Sequence, residues 1–437
     1  MIARRLLISA AACCGVAALM TPATAAQAKV PPWPTVAAAL PASLAHPATT
    51  STPVYLERMR TRLAKRVRAA ARGSRVSVRV EDLATGSPVF GFKALRPRVP
   101  ASTMKTATAL AALSAAGPAH RMPTRVMRSP DGLTLTLVGG GDPLLSSADL
   151  DRLAQAVVTR LRLTGLPAAR IAVRYDASLF APAVRPSGWY SSYFWDYATM
   201  PAALSRDLRR SSRPGRDAAL YFRSRLKKAG VRVVGGTAPS TAAAGSVRVG
   251  RLRGHTIAEA IWPMLQYSDN SIAENLIRHV ALARRTATTA EGSAAAVSTE
   301  LQRLGIPLAT ARFVDGSGLS RVNRLSAANL VAITRAAVNP RDLRLSTGFR
   351  TSAFPLAGVS GTLSGRFDAR STSCARGRIM AKTGSLSDTL ALSGVANSTD
   401  GRMRAFSIVV NDKPSSSSWD AAQFRVDRIA TAITGCR

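Results

Sequence analysis

Acidic, aromatic and histidine residues are all scarce in this chain of 437 residues. It has 24 Asp and Glu against 60 Lys and Arg, and aromatic residues make up 5% of it. The four histidines, which are His46, His120, His255 and His279, show neither paired ligand spacing nor an HExxH motif, so zinc hydrolysis has little support. Beyond the N-terminus no uninterrupted run of about 18 apolar residues predicts a membrane-spanning helix. Hydrophobic residues still make up 46% of the chain, which excludes wholesale disorder.

The balance of charge predicts a polyanionic partner. The formal net charge is +36, which favours attraction to nucleic acid, anionic lipid or an acidic cell-wall polymer. Arginine outnumbers lysine 52 to 8, a skew typical of coding bias, and no basic run is interleaved with aromatic residues. The composition therefore argues against nucleic acid and leaves an anionic wall polymer as a candidate partner.

The N-terminus has the pattern of a secretory signal peptide. Two arginines precede a short apolar stretch, and a following Ala-Gln-Ala sequence resembles a cleavage site. We predict a signal peptide at 1–28 and a Pro/Ala-rich linker at 29–53. The mature protein is then exported, to the periplasm or the extracellular space, in association with the cell wall.

Two cysteines, Cys374 and Cys436, remain in the chain after such a cleavage. A pair of cysteines in an exported protein is usually bonded. We therefore predict a structural disulfide that closes a loop of 62 residues.

The rest of the chain has the pattern of an α+β domain that is interrupted by an insert. Residues 54–123 and 251–437 contain helical patterns and alternating apolar strands, and the helices at the two ends are expected to pack on the same sheet. Residues 124–250 change to short strands with glycine punctuation and one amphipathic helix near 217–229. We predict one domain from the two outer segments and an inserted β-rich domain between them.

A serine and a lysine at helical spacing, Ser102 and Lys105, offer a way to activate a serine without histidine. Pro100 breaks the chain before an Ala- and Leu-rich stretch that predicts a buried helix, so Ser102 is placed at a helix N-terminus. Positions i and i+3 share a helix face, and apolar surroundings lower the pKa of a lysine toward that of a usable base. Ser224 and Lys227 have the same spacing, but neighbouring basic residues on an amphipathic helix indicate a solvated face there.

Two further motifs follow in order, Ser268-Asp269-Asn270 before a predicted helix and Lys382-Thr383-Gly384-Ser385 at the end of a predicted strand. With all three motifs the sequence resembles the penicillin-recognising serine acyl-transferases. It resembles more closely the D-alanyl-D-alanine carboxypeptidase/endopeptidase family, which comprises the class C low-molecular-mass penicillin-binding proteins (peptidase family S13). The resemblance runs from about residue 55 to the C-terminus, and the stretches that carry it are 80–86, 100–105, 140–143, 268–276 and 315–321.

The resemblance implies both a fold and an activity. The fold is a penicillin-binding-protein/β-lactamase-like transpeptidase domain, an antiparallel sheet with helices on both faces, which carries the insert between its first and second motifs. The gap between these motifs is short for the family, which favours one inserted domain over two. The activity is that of a serine D-Ala-D-Ala carboxypeptidase, or also an endopeptidase, on peptidoglycan stem peptides. It requires no cofactor and no metal, and β-lactams act as acylating inhibitors.

Four catalytic roles follow from the resemblance. Ser102 is expected to be the nucleophile that forms an acyl-enzyme, and Lys105 its general base. Ser268 is expected to relay a proton to the departing D-alanine. Asn270 is expected to bind both Lys105 and the substrate amide.

The last motif is expected to bind substrate. Lys382 supplies positive potential for the terminal carboxylate and Thr383 supplies a hydroxyl group to it, while Gly384 completes the motif. The backbone N–H of Ser385, together with that of Ser102, is expected to form an oxyanion hole. The stretch 315–321 matches a family stretch that lies near the site, but a Gly- and Ser-rich surface loop accounts for it adequately, and we assign it no chemistry.

Two other functions compete with this prediction. A β-lactamase needs a base for deacylation, and none of Glu274, Glu291 and Glu300 lies in a Glu-x-x-Leu-Asn pattern. A non-catalytic basic envelope protein that binds peptidoglycan or acidic wall polymers would keep the acylation residues only as ancestry. Loss of activity in a Ser102→Ala variant counts against this second alternative.

Overall fold

The computed structural model describes residues 52–163, 170–338 and 353–436. The predicted signal peptide at 1–28 lies outside these residues, as does all but the end of the predicted linker. Pro53, the last residue assigned to that linker, already begins the first helix. Within the described ranges no helix combines the length and apolar character that a bilayer crossing requires.

The first sheet is antiparallel and is built from both ends of the chain. Its strand order is β2-β1-β10-β9-β8, so the last strand in the chain lies between its first and ninth strands. The strands are β1 (Arg75–Asp82), β2 (Pro88–Phe92), β8 (Ile379–Leu386), β9 (Thr389–Asn397) and β10 (Met403–Asn411). Strand β8 forms one edge of this sheet, and residues 355–357 pair with the first part of its outer side.

Helices cover both faces of the first sheet, which confirms the predicted α+β arrangement. On one face α1 (Pro53–Ala70) and α10 (Trp419–Ile433) pack together over apolar side chains such as Val78 and Phe406. The opposite face is covered by α2 (Met104–Ala116), α6 (Ile257–Gln266), α7 (Asn270–Arg284), α8 (Ala290–Arg303) and α9 (Ala327–Ala337).

Helix α2 lies at the centre of this second layer because its sequence has no polar face. Ten consecutive residues, from Met104 to Leu113, are buried, and the helix contacts α6, α7, α8 and α9. A helix that is apolar on all sides is stable only inside a core. Its N-terminal turn, Ala101–Thr103, is a 3-10 turn that packs against β8. Core packing around α2 therefore fixes the position of the turn that precedes it, residues 101–103.

The second sheet is formed by residues 125–251 and has the order β6-β5-β4-β3-β7. Strands β4–β5 and β5–β6 pair in parallel, whereas β3 pairs with β4 and β7 antiparallel. The elements of this region are β3 (Arg125–Arg128), β4 (Thr134–Val138), α3 (Ser147–Leu163), β5 (Ile171–Asp176), α4 (Tyr193–Asp196), α5 (Pro214–Lys228), β6 (Val233–Val234) and β7 (Val247–Arg251).

Helix α3 is an element that the sequence pattern did not predict. The pattern predicts one amphipathic helix in this region, which is α5, whereas the structure has two long helices. Both pack on the same face of the second sheet, in a core with Val126, Leu137 and Val173. Leu150, Leu153 and further apolar residues at helical spacing form the buried side of α3.

A disulfide joins Cys374 to Cys436, so it links the short turn before β8 to the end of the chain after α10. The bond closes a loop of 62 residues and restricts the unfolded chain. We expect the Cys374→Ser/Cys436→Ser variant to lose about 4 kcal/mol of unfolding free energy, the value that loop-closure entropy gives for such a loop. Guanidinium denaturation of oxidised wild type and variant measures this loss. Reduced wild type should match the variant, and equal midpoints for all three samples would contradict the prediction.

Candidate active site

Ser102 lies in a tightly packed turn between the first sheet and helix α2. The preceding residue, Ala101, is fully buried and has a left-handed backbone with φ of 47°, which is uncommon for a residue with a side chain. Two glycines make room for the turn. A Cβ on Gly318 would lie 1.9 Å from the carbonyl oxygen of Ala101, and one on Gly384 would lie 2.9 Å from that of Pro100. The turn is thus held from two sides by segments distant in the sequence.

Lys105 is fully buried, and its ammonium group has three oxygen partners. Its Nζ lies 3.0 Å from Ser102 Oγ, 2.6 Å from Asn270 Oδ1 and 2.7 Å from the carbonyl oxygen of Ser317. Burial lowers the pKa of Lys105 from 10.5 to about 8, and nearby carboxylates oppose that fall. A lysine with such a pKa is partly neutral near neutral pH and can accept a proton from the hydroxyl it contacts.

The Ser268-Asp269-Asn270 motif forms the start of α7 and reaches Lys105 through Asn270. Asp269 is the N-cap, and its side chain accepts from the backbone N–H of Ile272 at 2.8 Å. Asn270 accepts from Lys105 and donates through Nδ2 to the carbonyl oxygen of Tyr197 at 2.8 Å. Ser268 has a left-handed backbone with φ of 61° and is half-buried, and within the described residues its hydroxyl group has no hydrogen-bond partner.

Lys382 is a second buried lysine, and it lies on edge strand β8. Its Nζ donates to the carbonyl oxygen of its neighbour Thr383 at 2.8 Å. Burial, together with the positive charge of Lys105, lowers the pKa of Lys382 well below its ordinary value. The Thr383 hydroxyl group lies 2.8 Å from that of Thr362. An anion that approaches these groups would restore the charged form of Lys382.

The backbone of β8 has the direction that an oxyanion hole requires. Ala381 donates its N–H away from β9, to the carbonyl oxygen of Pro355 at 3.0 Å. In an antiparallel strand every second residue has its N–H on the same side. The N–H of Ser385 therefore also points away from β9, and the 3-10 turn containing Ser102 packs against the same strand.

The stretch 315–321 is not the surface loop that the sequence pattern suggested. Asp315, Ser317 and Ser320 are buried, and the loop brings the Ser317 carbonyl oxygen onto Lys105. The Asp315 carboxylate explains this burial, since it accepts from the backbone N–H of Gly318 at 2.8 Å and of Ser320 at 2.6 Å. With its donors satisfied internally, the loop can leave solvent and form one wall of the site.

Glu274 is a residue of this site that the sequence reasoning missed as a contributor. Its Oε1 accepts from the N–H groups of Gly316 and Ser317 at 3.0 and 2.8 Å, so it holds the two peptide groups that precede the Ser317 carbonyl group in contact with Lys105. Burial and the negative charge of Asp315 raise the pKa of Glu274 to about 7. Its spacing could have indicated this role, because Glu274 follows Asn270 by four residues and so lies one turn further along the same face of α7.

The region between β5 and α5 also contributes to the site, through residues 187–199, here called the aromatic segment. Trp189 Nε1 donates to Asp315 Oδ2 at 2.7 Å, and Trp189 and Tyr193 pack with Leu319 and Leu386. The carbonyl oxygen of Tyr197 accepts from Asn270, as described above. The aromatic segment is thus tied to both the buried loop and the start of α7.

The second Ser-x-x-Lys pair has no such surroundings. Ser224 and Lys227 are exposed on α5, and the Ser224 hydroxyl group donates to the carbonyl oxygen of Tyr221 in the same helix at 2.6 Å. The geometry therefore distinguishes Ser102 from Ser224 as a nucleophile.

Taken together, the site offers a hydroxyl group beside a lysine whose pKa lies near the working range, with backbone N–H groups and a second lysine close by. That combination suits acyl transfer, in which a serine is deprotonated, attacks a carbonyl carbon and develops an oxyanion. The second lysine places positive potential where an acidic substrate end can bind.

Comparisons with known proteins agree on one family. The model of the D-Ala-D-Ala carboxypeptidase 3 (S13) family matches residues 59–207 and 198–432. Carboxypeptidase DacB of Mycolicibacterium smegmatis is 30% identical over 383 residues, which cover 83% of this chain and 80% of the relative. The D-alanyl-D-alanine carboxypeptidase of an Actinomadura species is 27% identical over 430 residues and covers 78% of each chain. Among solved structures, penicillin binding protein 4 of Haemophilus influenzae has the same fold, with a TM-score of 0.70 at 20% identity, and covers 84% of this chain and 97% of that chain.

Proposed function

The chain belongs to the D-Ala-D-Ala carboxypeptidase 3 (S13) family, and we propose that it is an exported serine carboxypeptidase that removes the terminal D-alanine from peptidoglycan stem peptides. The observation that carries this proposal is the position of Lys105 Nζ, between the Ser102 hydroxyl group and the oxygens of Asn270 and Ser317. Burial prepares this lysine to act as a base, and the relatives named above are carboxypeptidases.

Acylation begins with proton transfer from Ser102 Oγ to neutral Lys105 Nζ. The oxygen bonds to the carbonyl carbon of the penultimate D-alanine, and the backbone N–H groups of Ser102 and Ser385 stabilise the oxyanion. The C–N bond then breaks, and the terminal D-alanine leaves after its nitrogen takes a proton through Ser268. A water molecule hydrolyses the acyl-enzyme, which releases the shortened peptide and restores the Ser102 hydroxyl group.

The terminal carboxylate of the substrate binds at Lys382 and Thr383. Burial, together with the positive charge of Lys105, lowers the pKa of Lys382 and so disfavours its ammonium form. A bound carboxylate replaces the missing solvation and favours the ammonium form. The site therefore prefers peptides that end in a free carboxylate, which is the chemistry of a carboxypeptidase.

The proposal includes sensitivity to β-lactams. The penicillin binding protein 4 of Haemophilus influenzae with a bound β-lactam has the fold of this chain, with a TM-score of 0.67. A β-lactam carries a carboxylate and a strained amide, so Ser102 attacks it as it attacks D-Ala-D-Ala. The acyl-enzyme retains the drug because no leaving group diffuses away.

A peptidase assay on a defined peptide tests the proposed activity. We expect the purified protein to release D-alanine from a peptide that ends in D-Ala-D-Ala, and not to act on the matched peptide that ends in D-Ala-L-Ala. A cross-linked dimer peptide in the same assay reports endopeptidase activity. Folded protein that releases no D-alanine from any of these peptides would favour the non-catalytic binding protein instead.

Glu274 should set the pH at which the site becomes active. Glu274→Gln keeps an oxygen for the N–H groups of Gly316 and Ser317. It removes one of the negative charges that, with those of Asp315 and Asp269, raise the pKa of Lys105 against the effect of burial. The pKa of Lys105 should therefore fall below about 8. The rate of acylation by penicillin should then rise at lower pH than in wild type.

The control for this prediction is Glu291→Gln, which removes an exposed carboxylate from the neighbouring helix α8. Its pH profile should coincide with that of wild type. Glu274→Ala leaves two buried N–H groups without an acceptor and should lower the unfolding free energy by about 1–3 kcal/mol. An unshifted profile for Glu274→Gln would refute this role.

A further inference from the structure

The second sheet has one face that no helix of the described chain covers, and arginine is concentrated there. Helices α3 and α5 both pack on the face that carries Val126. Alternation along β3 places Arg125 and Met127 on the opposite face. The strand register adds three arginines from neighbouring strands to that side. We call this set the arginine face, and its members are Arg125, Arg174, Arg248 and Arg251.

Two of these arginines stand directly opposite each other. Arg125 on β3 is the antiparallel partner of Arg251 on β7, and Arg248 is the partner of Met127 in the next pair across a bulge. Like charges at directly opposed positions repel, so this pairing disfavours the isolated sheet. All three side chains of Arg125, Arg248 and Arg251 are exposed. A bound anion would relieve the repulsion between these guanidinium groups.

No carboxylate of the described residues neutralises these charges. Arg125, Arg248 and Arg251 form neither an ion pair nor a side-chain hydrogen bond within those ranges, while Arg174 donates to the carbonyl oxygen of Gly236 at 3.0 Å. Many other arginines of the chain do form ion pairs, such as those on α5 and β10. Exposed arginines without ion pairs also occur elsewhere, but on this face three of them share one side of a sheet.

One carboxylate shares the face, and its position leaves the arginines free. Asp176 is opposite Val138, which is in turn opposite Arg125, so two strand spacings, or about 10 Å, separate the two residues. The Asp176 carboxylate accepts from the backbone N–H and the hydroxyl group of Ser178. The face therefore keeps a net positive charge.

We propose that the arginine face binds a polyphosphodiester of the cell wall. The two free oxygens of one phosphodiester group can accept from the guanidinium groups of Arg125 and Arg251 together, and Arg248 lies about 10 Å along β7, where a later repeat can bind. No aromatic side chain occupies this face, so it lacks the stacking platform of single-stranded nucleic acid binders. The inference that the ligand is an anion rests on the arginine face alone. The inference that this anion is a cell-wall polymer rests on the proposed function.

Binding of purified poly(glycerol phosphate) teichoic acid to the purified protein tests this proposal. The variant Arg125→Gln/Arg248→Gln/Arg251→Gln should lose at least about tenfold in affinity, and wild-type affinity should fall as salt is raised. The charge-matched control is Arg58→Gln/Arg68→Gln/Arg72→Gln, which removes three exposed arginines without ion pairs at and just after α1. This control should bind the polymer as wild type does.

Each other outcome overturns the proposal. Equal losses in both triple variants would show that net charge alone attracts the polymer. Tighter binding of a single-stranded DNA oligonucleotide or of phosphatidylglycerol vesicles than of teichoic acid would assign the face to those ligands. Penicillin acylation of the same wild-type sample is measured separately, so a failure of the Ser102 chemistry is distinguishable from a failure of the arginine face. Thermal unfolding confirms that both variants are folded.

Discussion

Ser102→Ala should abolish peptide cleavage and acylation by penicillin together. The substitution removes the only atom that forms the acyl bond and leaves Lys105 with its contacts to Asn270 and Ser317. Loss of a catalytic nucleophile lowers kcat by at least about 10⁴-fold. We expect D-alanine release from a D-Ala-D-Ala peptide to fall to background. Because Ser102 is only half-buried, the substitution should have little effect on folding stability. The variant should therefore unfold at the same temperature as wild type.

The matched control for this prediction is Ser224→Ala. Ser224 has the same spacing to a lysine, but it is exposed and donates to its own helix. The variant should keep full activity and full labelling by penicillin. Retained turnover in Ser102→Ala, or a loss in Ser224→Ala, would place the nucleophile elsewhere.

Lys105→Arg should lose about 10²- to 10⁴-fold in acylation rate, the usual contribution of a general base. Arginine keeps the positive charge but does not give up its proton in proteins, so it cannot accept one from Ser102. The wild-type pH profile should show the same group. In the proposed mechanism neutral Lys105 is the active form. Burial lowers its pKa to about 8, so the rate should rise about tenfold per pH unit below 8 and level off above it.

The pH profile separates a base from a merely structural lysine. In Lys105→Arg the rise toward pH 8 should disappear, because no neutral lysine is formed. The exposed lysine of the second pair provides the control, and Lys227→Arg should keep the wild-type rate and profile. A wild-type rate that is flat between pH 6 and pH 9 would contradict the role of Lys105 and the proposed mechanism with it.

The elements that the sequence predicted well are those whose pattern is local. Helix α2 is recognisable because its residues are apolar on every side, and the terminal helices α1 and α10 pack on one face of the first sheet as expected. The hairpin of β9 and β10 follows from two alternating strands around a Ser-Thr-Asp-Gly turn. Local periodicity was enough in each case.

The motif residues gather around Lys105 only in part. Asn270 contacts Lys105 directly, whereas Lys382 contacts its neighbour Thr383, and burial together with the charge of Lys105 lowers the pKa of Lys382. The roles of Ser268 and Ser385 in turnover stay predictions, since they depend on a bound substrate. Sequence spacing indicates which residues a site uses, but not which of them touch before substrate arrives.

The parts that the sequence did not predict depend on contacts between distant segments. The loop 315–321 looks polar and solvent-exposed, and its burial depends on the hydrogen bonds of the Asp315 carboxylate, including the one from Trp189. The support that Glu274 gives to Ser317 likewise spans more than forty residues. A Gly- and Ser-rich stretch gives no local sign that its N–H groups will find internal acceptors.

Peptide mapping after reaction with penicillin tests the central claim most directly. The purified protein is allowed to react, digested and analysed by mass spectrometry. We expect one adduct per molecule with the mass of the opened β-lactam, on the peptide that contains Ser102. An adduct on another peptide, or folded protein that carries none, would contradict the assignment of Ser102 as the nucleophile of a penicillin-sensitive carboxypeptidase.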